Sequence, residues 1–136
     1  HGRPDMFLFK LLKSIFKKDF FYLNNYGNHL RDFTHVDDVK MIIKKLISKK
    51  IRKKFQIFNI SSNKPINILK LISTVSKITS ITPKIVKIKK HKADVLITHG
   101  NNIKIKKYLN IKSFRNIYNE LSPIIKWYKD NKFYKF

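Results

Sequence analysis

An α/β fold, made of helices with a few short, separated strands, is the class this sequence predicts. Three observations carry the prediction. Apolar residues recur at helical spacing in several stretches of the chain. Between those stretches lie short runs rich in Phe, Tyr, Ile and Val, bounded by asparagine, proline or glycine. No internal repeat or long linker interrupts the alternation, which suits a single unit of 136 residues spanning positions 1–136.

Residues 6–18 form the first expected helix. Leu8, Leu11, Leu12, Ile15 and Phe16 keep helical spacing, Lys10, Lys13, Lys17 and Lys18 fill the polar side, and Pro4 stands near the start where it is tolerated. Phe20 to Leu23 is a short aromatic strand, and positions 24–28 (Asn-Asn-Tyr-Gly-Asn) are turn chemistry, because asparagine and glycine accept left-handed backbone angles. Phe33 to Val36 reads as a brief strand or extended segment. A second helix is expected over 38–49, with Asp37 or Asp38 as cap and Val39, Ile42, Ile43, Leu46 and Ile47 as its apolar stripe. Phe55 to Ile60 reads as a strand and 61–65 as the loop after it. Asn67 is placed to cap a third helix over 68–78 with Leu69, Ile72 and Val75 inward. Lys84 to Ile88 alternates as a strand after Pro83, and helices over 102–108 and 115–130 close the chain.

Composition narrows the function classes. Cysteine is absent, which excludes a disulfide framework, a thiol nucleophile and a cysteine zinc site. No apolar run reaches the roughly 18 residues of a membrane span. The polar opening with Pro4 is unlike a secretory leader, so cytoplasm is the expected compartment, and the missing initial methionine suggests a piece of something longer. The formal charge of +23 raises nucleic acid as a partner. Lysine, however, is spread through every segment, and Lys, Ile, Asn, Phe and Tyr, all read from A/T-rich codons, make up 77 of the 136 residues. Codon drift therefore accounts for the lysines, and nucleic-acid binding stands as the alternative function.

Against that background the rare residue types carry the information. There are four arginines among 31 basic residues, and eight acids. Arg3 and Arg31 lie in turn-rich segments beside Asp5, Asp32, Asp37 and Asp38, and a guanidinium can fork two oxygens of a carboxylate or phosphate. They are candidates for gripping an anionic ligand. The competing reading is surface ion pairing to Asp5, Asp32 or Asp37. Adjacent carboxylates at a helix start point apart, so Asp37 and Asp38 suit capping rather than acid–base chemistry. His29, His35, His91 and His99 lack metal-ligand spacing and read as surface or core-edge residues, with phosphate contact open to His91. Trp127 and Tyr128 read as helix packing. The lysines at 87, 89, 90 and 92 read as a solvated strand edge, with a polyanion site as the alternative.

Four blocks, in order and through nearly the whole chain, carry a resemblance. They are Gly2-Arg3-Pro4-Asp5-Met6 with Leu8-Phe9-Lys10, and Asn25-Tyr26-Gly27 followed by Arg31-Asp32-Phe33-Thr34 and Asp37-Asp38. Phe58-Asn59-Ile60 with Pro65, and Ala93-Asp94-Val95 with Thr98, complete the set. Together they resemble the C-terminal half of nucleotide-sugar epimerases of the extended short-chain dehydrogenase/reductase family, the UDP-glucuronate 4-epimerase subgroup above all. The resemblance implies the substrate-binding lobe of a Rossmann-type epimerase, with the Rossmann core absent or incomplete and an N-terminal Rossmann half as partner. It implies that Arg3 faces the sugar carboxylate, Arg31 holds the UDP diphosphate, Asp94 meets the ribose hydroxyls, and Leu23 and Asn24 read uracil through backbone groups. His91 stands where the family usually has glutamine or arginine, Ala93 where it has glycine, and Gly100-Asn101 where it has Ala-Asp. NAD is the cofactor implied for the intact enzyme, in which an upstream tyrosine takes the 4-hydroxyl proton while hydride passes to NAD. This chain has glycine only at 2, 27 and 100, and the resemblance puts the family's catalytic Tyr-x-x-x-Lys pair upstream of residue 1, so it implies neither catalytic residues nor cofactor binding within the chain. No metal and no membrane enter the expectation.

Overall fold

Where the chain buries its leucines and isoleucines decides its architecture. In the computed structural model, which describes residues 3–50 and 55–135, five helices and four short strands alternate. Helix α1 (Phe7–Lys17) buries Leu8, Phe9, Leu11, Leu12 and Ile15 and stops where Lys18 turns left-handed. Strand β1 (Phe20–Asn24) pairs in parallel with β4 (Lys84–Ile88), Phe20 opposite Lys84 and Asn24 opposite Ile88. Strand β2 (Leu30–Asp32) pairs antiparallel with β3 (Pro65–Asn67), Arg31 opposite Ile66. Helices α2 (Val36–Ile47), α3 (Ile68–Thr79), α4 (Ile103–Leu109) and α5 (Ile117–Asp130) complete the set. The α/β class with few strands is what the sequence predicts.

Buried apolar residues fall into two clusters. The larger joins α1, β1, α3 and α5 through Leu11, Leu12, Ile15, Leu23, Leu71, Val75, Leu121 and Tyr128. Phe9 is its aromatic hub, with edge-on contacts to Trp127, Tyr128 and Phe133 at centroid distances of 6.4, 5.4 and 5.4 Å. Trp127 and Tyr128 thus pack helix against helix, as expected. The smaller cluster joins α2 and α4 through Ile42, Ile105, Leu109, Ile111 and Phe114.

Several expectations are corrected. The strand expected over 33–36 lies three residues earlier, as β2, because Leu30 is the residue that finds backbone partners: its N–H donates to Leu96 O at 2.9 Å and its carbonyl accepts from Thr98 N at 3.1 Å. Phe55–Ile60 is not in a ladder. Its side chains still alternate between exposed and half-buried, as a strand's do, but no described neighbour supplies the pairing a strand requires. Helix α2 is capped by His35, whose Nδ1 accepts from Asp37 N at 3.2 Å, and not by either aspartate. In the expected stripe of α2 only Ile42 is fully buried, while Ile43 and Ile47 are exposed. Asn67 caps α3 as expected, accepting from Leu69 N and Lys70 N, but the inward face is Ile68, Leu71, Ile72 and Val75. Leu69 is turned instead toward the turn at Gly27.

Candidate functional site

The turn after β1 and the strand that follows it place the polar side chains. Asn25, Tyr26 and Gly27 all take positive φ, which reverses the chain within three residues. Strand β2 then runs beside the 94–98 segment through the Leu30 hydrogen bonds, and this brings Asp94 to Arg31 across 63 positions of sequence. Arg31 Nη2 donates to Asp94 Oδ1 at 2.7 Å, and its Nη1 donates to the carbonyls of Leu30 at 3.0 Å and Leu96 at 3.2 Å. Asp94 itself sits on a tight turn closed by its N–H donating to His91 O at 3.0 Å.

These residues border a cavity of about 890 Å³, lined also by Leu23 and Asn24 from the end of β1, the start of α1 and one face of α5. Leu23, Asn24, Arg31 and Asp94 therefore share one hollow. Arg3 does not line it. Its side chain is 71% exposed and forks Asp5, Nε to Oδ1 at 3.1 Å and Nη2 to Oδ2 at 2.8 Å, and that hydrogen bonding holds the Asp5 carboxyl below the usual carboxylate range. Asp5 does border the cavity. The two guanidiniums thus do not converge here: Arg31 reaches the hollow and Arg3 is turned to its neighbour. His91 is also outside it, exposed, with Nδ1 accepting from Ala93 N at 3.2 Å. His91 therefore shapes the turn that presents Asp94.

A residue read as surface or core-edge from the sequence proves to be part of the wall. His29 is buried, 6% exposed, and borders the same cavity. Its Nε2 comes within 3.1 Å of Asp94 Oδ2 and completes no hydrogen bond. Burial holds the imidazole below the ordinary histidine value, Asp94 opposing and Arg31 and Lys90 adding to the effect. No local pattern marks it, because His29 stands just before β2 and meets Asp94 only across the fold.

A second charged group borders the hollow. Arg115 Nη1 donates to Glu120 Oε1 at 3.1 Å, and His35 Nε2 lies 3.9 Å from Glu120 Oε2. Among the described residues no cluster of histidines and carboxylates could hold a metal ion, and no helix is long and apolar enough to cross a membrane. Nor do the two glycines among the described residues form a dinucleotide loop. Gly27 is packed against Leu69 and Leu23, Gly100 against Ser61, and neither opens a helix.

No protein-family model matches the chain. Among curated proteins it is 31% identical over 131 residues to a UDP-glucuronate 4-epimerase of Thermodesulfobacterium geofontis, covering 96% of this chain and 40% of that protein. Its fold superposes on MoeE5 solved with UDP-glucuronic acid and NAD, with a TM-score of 0.88 and 23% identity over 96% of this chain and 43% of that one. A UDP-glucuronic acid 4-epimerase of Bacillus cereus, also solved with UDP-glucuronic acid and NAD, gives a TM-score of 0.86 and 22% identity over 95% of this chain and 41% of that one. The chain spans about 40% of the length of the curated relatives it matches. In sequence and in fold it corresponds to the C-terminal part of the nucleotide-sugar epimerases of the extended short-chain dehydrogenase/reductase family.

Proposed function

We propose that this chain is the nucleotide-sugar-binding part of an NAD-dependent UDP-sugar 4-epimerase and is not active by itself. The observation that carries the reading is the meeting of Arg31, Asp94, Leu23 and Asn24 on one hollow large enough for a nucleotide sugar. Arg31 supplies the fork that a diphosphate takes, Asp94 accepts from the ribose hydroxyls, and the backbone at Leu23 and Asn24 reads uracil. Arg3 serves a uronate carboxylate once it leaves Asp5, a surface pair of little strength. His91 acts through the turn that carries Asp94.

NAD belongs to an N-terminal Rossmann half, which this reading takes as the lobe's partner. Two features support such a partner. Phe55–Ile60 has strand alternation without a ladder, and Ile47, Phe55 and Ile57 are 81%, 79% and 65% exposed, an apolar surface that a second layer would cover.

Titration of the chain with UDP-glucuronate, followed by calorimetry, tests the site. Arg31→Gln should weaken binding by about tenfold to a hundredfold, the loss of a charge-assisted forked contact, and Arg31→Lys should restore only part of it. Failure of the unaltered chain to bind any UDP-sugar, with tight and steeply salt-dependent binding of single-stranded RNA, would replace this reading with the nucleic-acid alternative.

A further inference from the structure

We infer that His29 is a positioning residue for Asp94, taking up a proton and holding that carboxylate when an anionic ligand draws Arg31 away. This rests on the proposed function and adds to it a residue and a linkage that the resemblance does not imply.

The geometry begins with competition for one guanidinium. Arg31 Nη2 is committed to Asp94 Oδ1 at 2.7 Å, so a diphosphate that takes the Arg31 fork must share or displace that contact. Asp94, less than a quarter exposed, would then lose its cation in a place where water only partly replaces it. His29 Nε2, at 3.1 Å from the other carboxylate oxygen, is the group within reach. It is buried, completes no hydrogen bond and borders the same cavity. A ring nitrogen left without a hydrogen bond beside a carboxylate is a place for a proton.

The electrostatic sign agrees. The charged groups acting on the ring are Asp94 across the contact, Arg31 from strand β2 and Lys90 from the segment after β4. Burial, with the two cations adding to it, lowers the proton affinity of the imidazole in the free chain. A bound diphosphate brings negative charge against Arg31 and offsets its field, and the loosened Asp94 adds its own pull. Both changes favour the imidazolium. The proton comes from solvent, Nε2–H donates to Asp94 Oδ2, and Oδ1 becomes free to accept from a sugar hydroxyl. Linkage then requires that whatever raises the proton affinity of His29 on ligand binding also makes binding stronger at lower pH.

UDP-glucose is the probe, because its diphosphate is esterified at both ends and keeps its charge across the range used. Calorimetric affinity of the unaltered chain should be about threefold to tenfold greater at about pH 6 than at about pH 8, with proton uptake visible as a dependence of the heat on buffer. In His29→Gln and in His29→Met the pH dependence and the uptake should both disappear. Two variants are used because one may pack poorly in a buried position. Independently of any ligand, the His29 ring followed by NMR should titrate lower in Asp94→Asn and higher in Arg31→Gln than in the unaltered chain. Binding that is equally pH-dependent in both His29 variants, or a ring titration indifferent to Asp94 and Arg31, overturns the inference and leaves the nucleotide site standing. Absence of UDP-glucose binding at every pH, with the ring titrating as expected, overturns the nucleotide reading and with it the ligand-linked role of His29.

Discussion

Asp32 illustrates what a carboxylate does in a chain with so few of them. It follows Arg31 directly and borders the same cavity, yet its carboxylate oxygens are taken up by backbone and hydroxyl donors. Its Oδ1 accepts from Ser62 Oγ, its Oδ2 accepts from Asn63 N at 3.0 Å and Gly100 N at 3.2 Å, and its own N–H donates to Thr98 Oγ1 at 3.0 Å. One side chain therefore ties β2 to the loop before β3 and to the segment before α4. Asp38 does the same elsewhere, accepting from Arg115 N at 2.9 Å and joining α2 to the approach to α5. Asp32→Ala should destabilise the chain by about 2–4 kcal/mol, because two half-buried N–H groups and a hydroxyl lose their acceptor. Denaturant unfolding measures this directly. Asp32→Asn should recover part of the loss, since one amide oxygen still accepts, whereas equal loss in both variants would mean that the negative charge itself is the tie. The acids divide accordingly, with Asp32 and Asp38 holding loops, while Asp94 stands between Arg31 and His29, and Glu120 between Arg115 and His35, at the cavity.

The elements were legible in proportion to how far their own residues determine them. Helices α1, α3 and α5 and strands β1 and β4 bury residues against the larger cluster, and their periodicity states it. Asn67 was legible as a cap because its oxygen reaches the N–H groups two and three residues on, a local matter. Strand β2 was misplaced because its register is decided by Leu96 and Thr98, far along the chain, which no local pattern records. The same reason hides His29: only the arrival of the 94–98 segment turns a histidine beside a turn into a cavity wall. Gly27 joins the two kinds of information. Its φ of +85° is the left-handed region that glycine tolerates, and a Cβ there would stand 2.5 Å from Leu69 Cδ2 and 2.9 Å from Leu23 Cδ2. Gly27→Ala should thus cost about 2–4 kcal/mol, backbone strain and overpacking together. Gly27→Ala combined with Leu69→Ala should recover only the part of the packing share that Leu69 imposes, the overlap with Leu23 and the backbone strain remaining. Thermal unfolding of the pair of variants separates the two contributions, and full recovery in the double variant would mean that strain contributes nothing.

The net charge of +23 acts on the molecule as a whole, and two opposed effects follow from it. Ion pairs such as Lys40–Asp37 at 3.0 Å and Arg3–Asp5 at 2.8 Å are exposed, so salt screens an attraction that is already weak. Repulsion among 31 cations facing only eight anions is screened by the same salt, and it destabilises the folded chain more than the unfolded one, since folding crowds the charges together. Repulsion should win, because the surplus cations far outnumber the pairs and each surplus cation opposes many others. Raising sodium chloride from about 20 to about 200 mM shortens the screening distance to roughly 7–8 Å and should raise the unfolding temperature by several degrees, levelling off beyond that concentration. Sulfate at equal ionic strength should give a larger rise, because it is also excluded from apolar surface. A fall in unfolding temperature with chloride would mean that the few acids, through pairs like those of Asp37 and Glu120 with Arg115, hold the fold more firmly than the lysines strain it. The cavity should respond the other way. Screening weakens the hold of Arg31 on a diphosphate, so UDP-sugar affinity should decline over the same salt range in which stability climbs. Opposite slopes in the two measurements are the expected signature of a chain whose charge surplus is spread over its surface while Arg31, the guanidinium proposed to hold the diphosphate, is confined to one hollow.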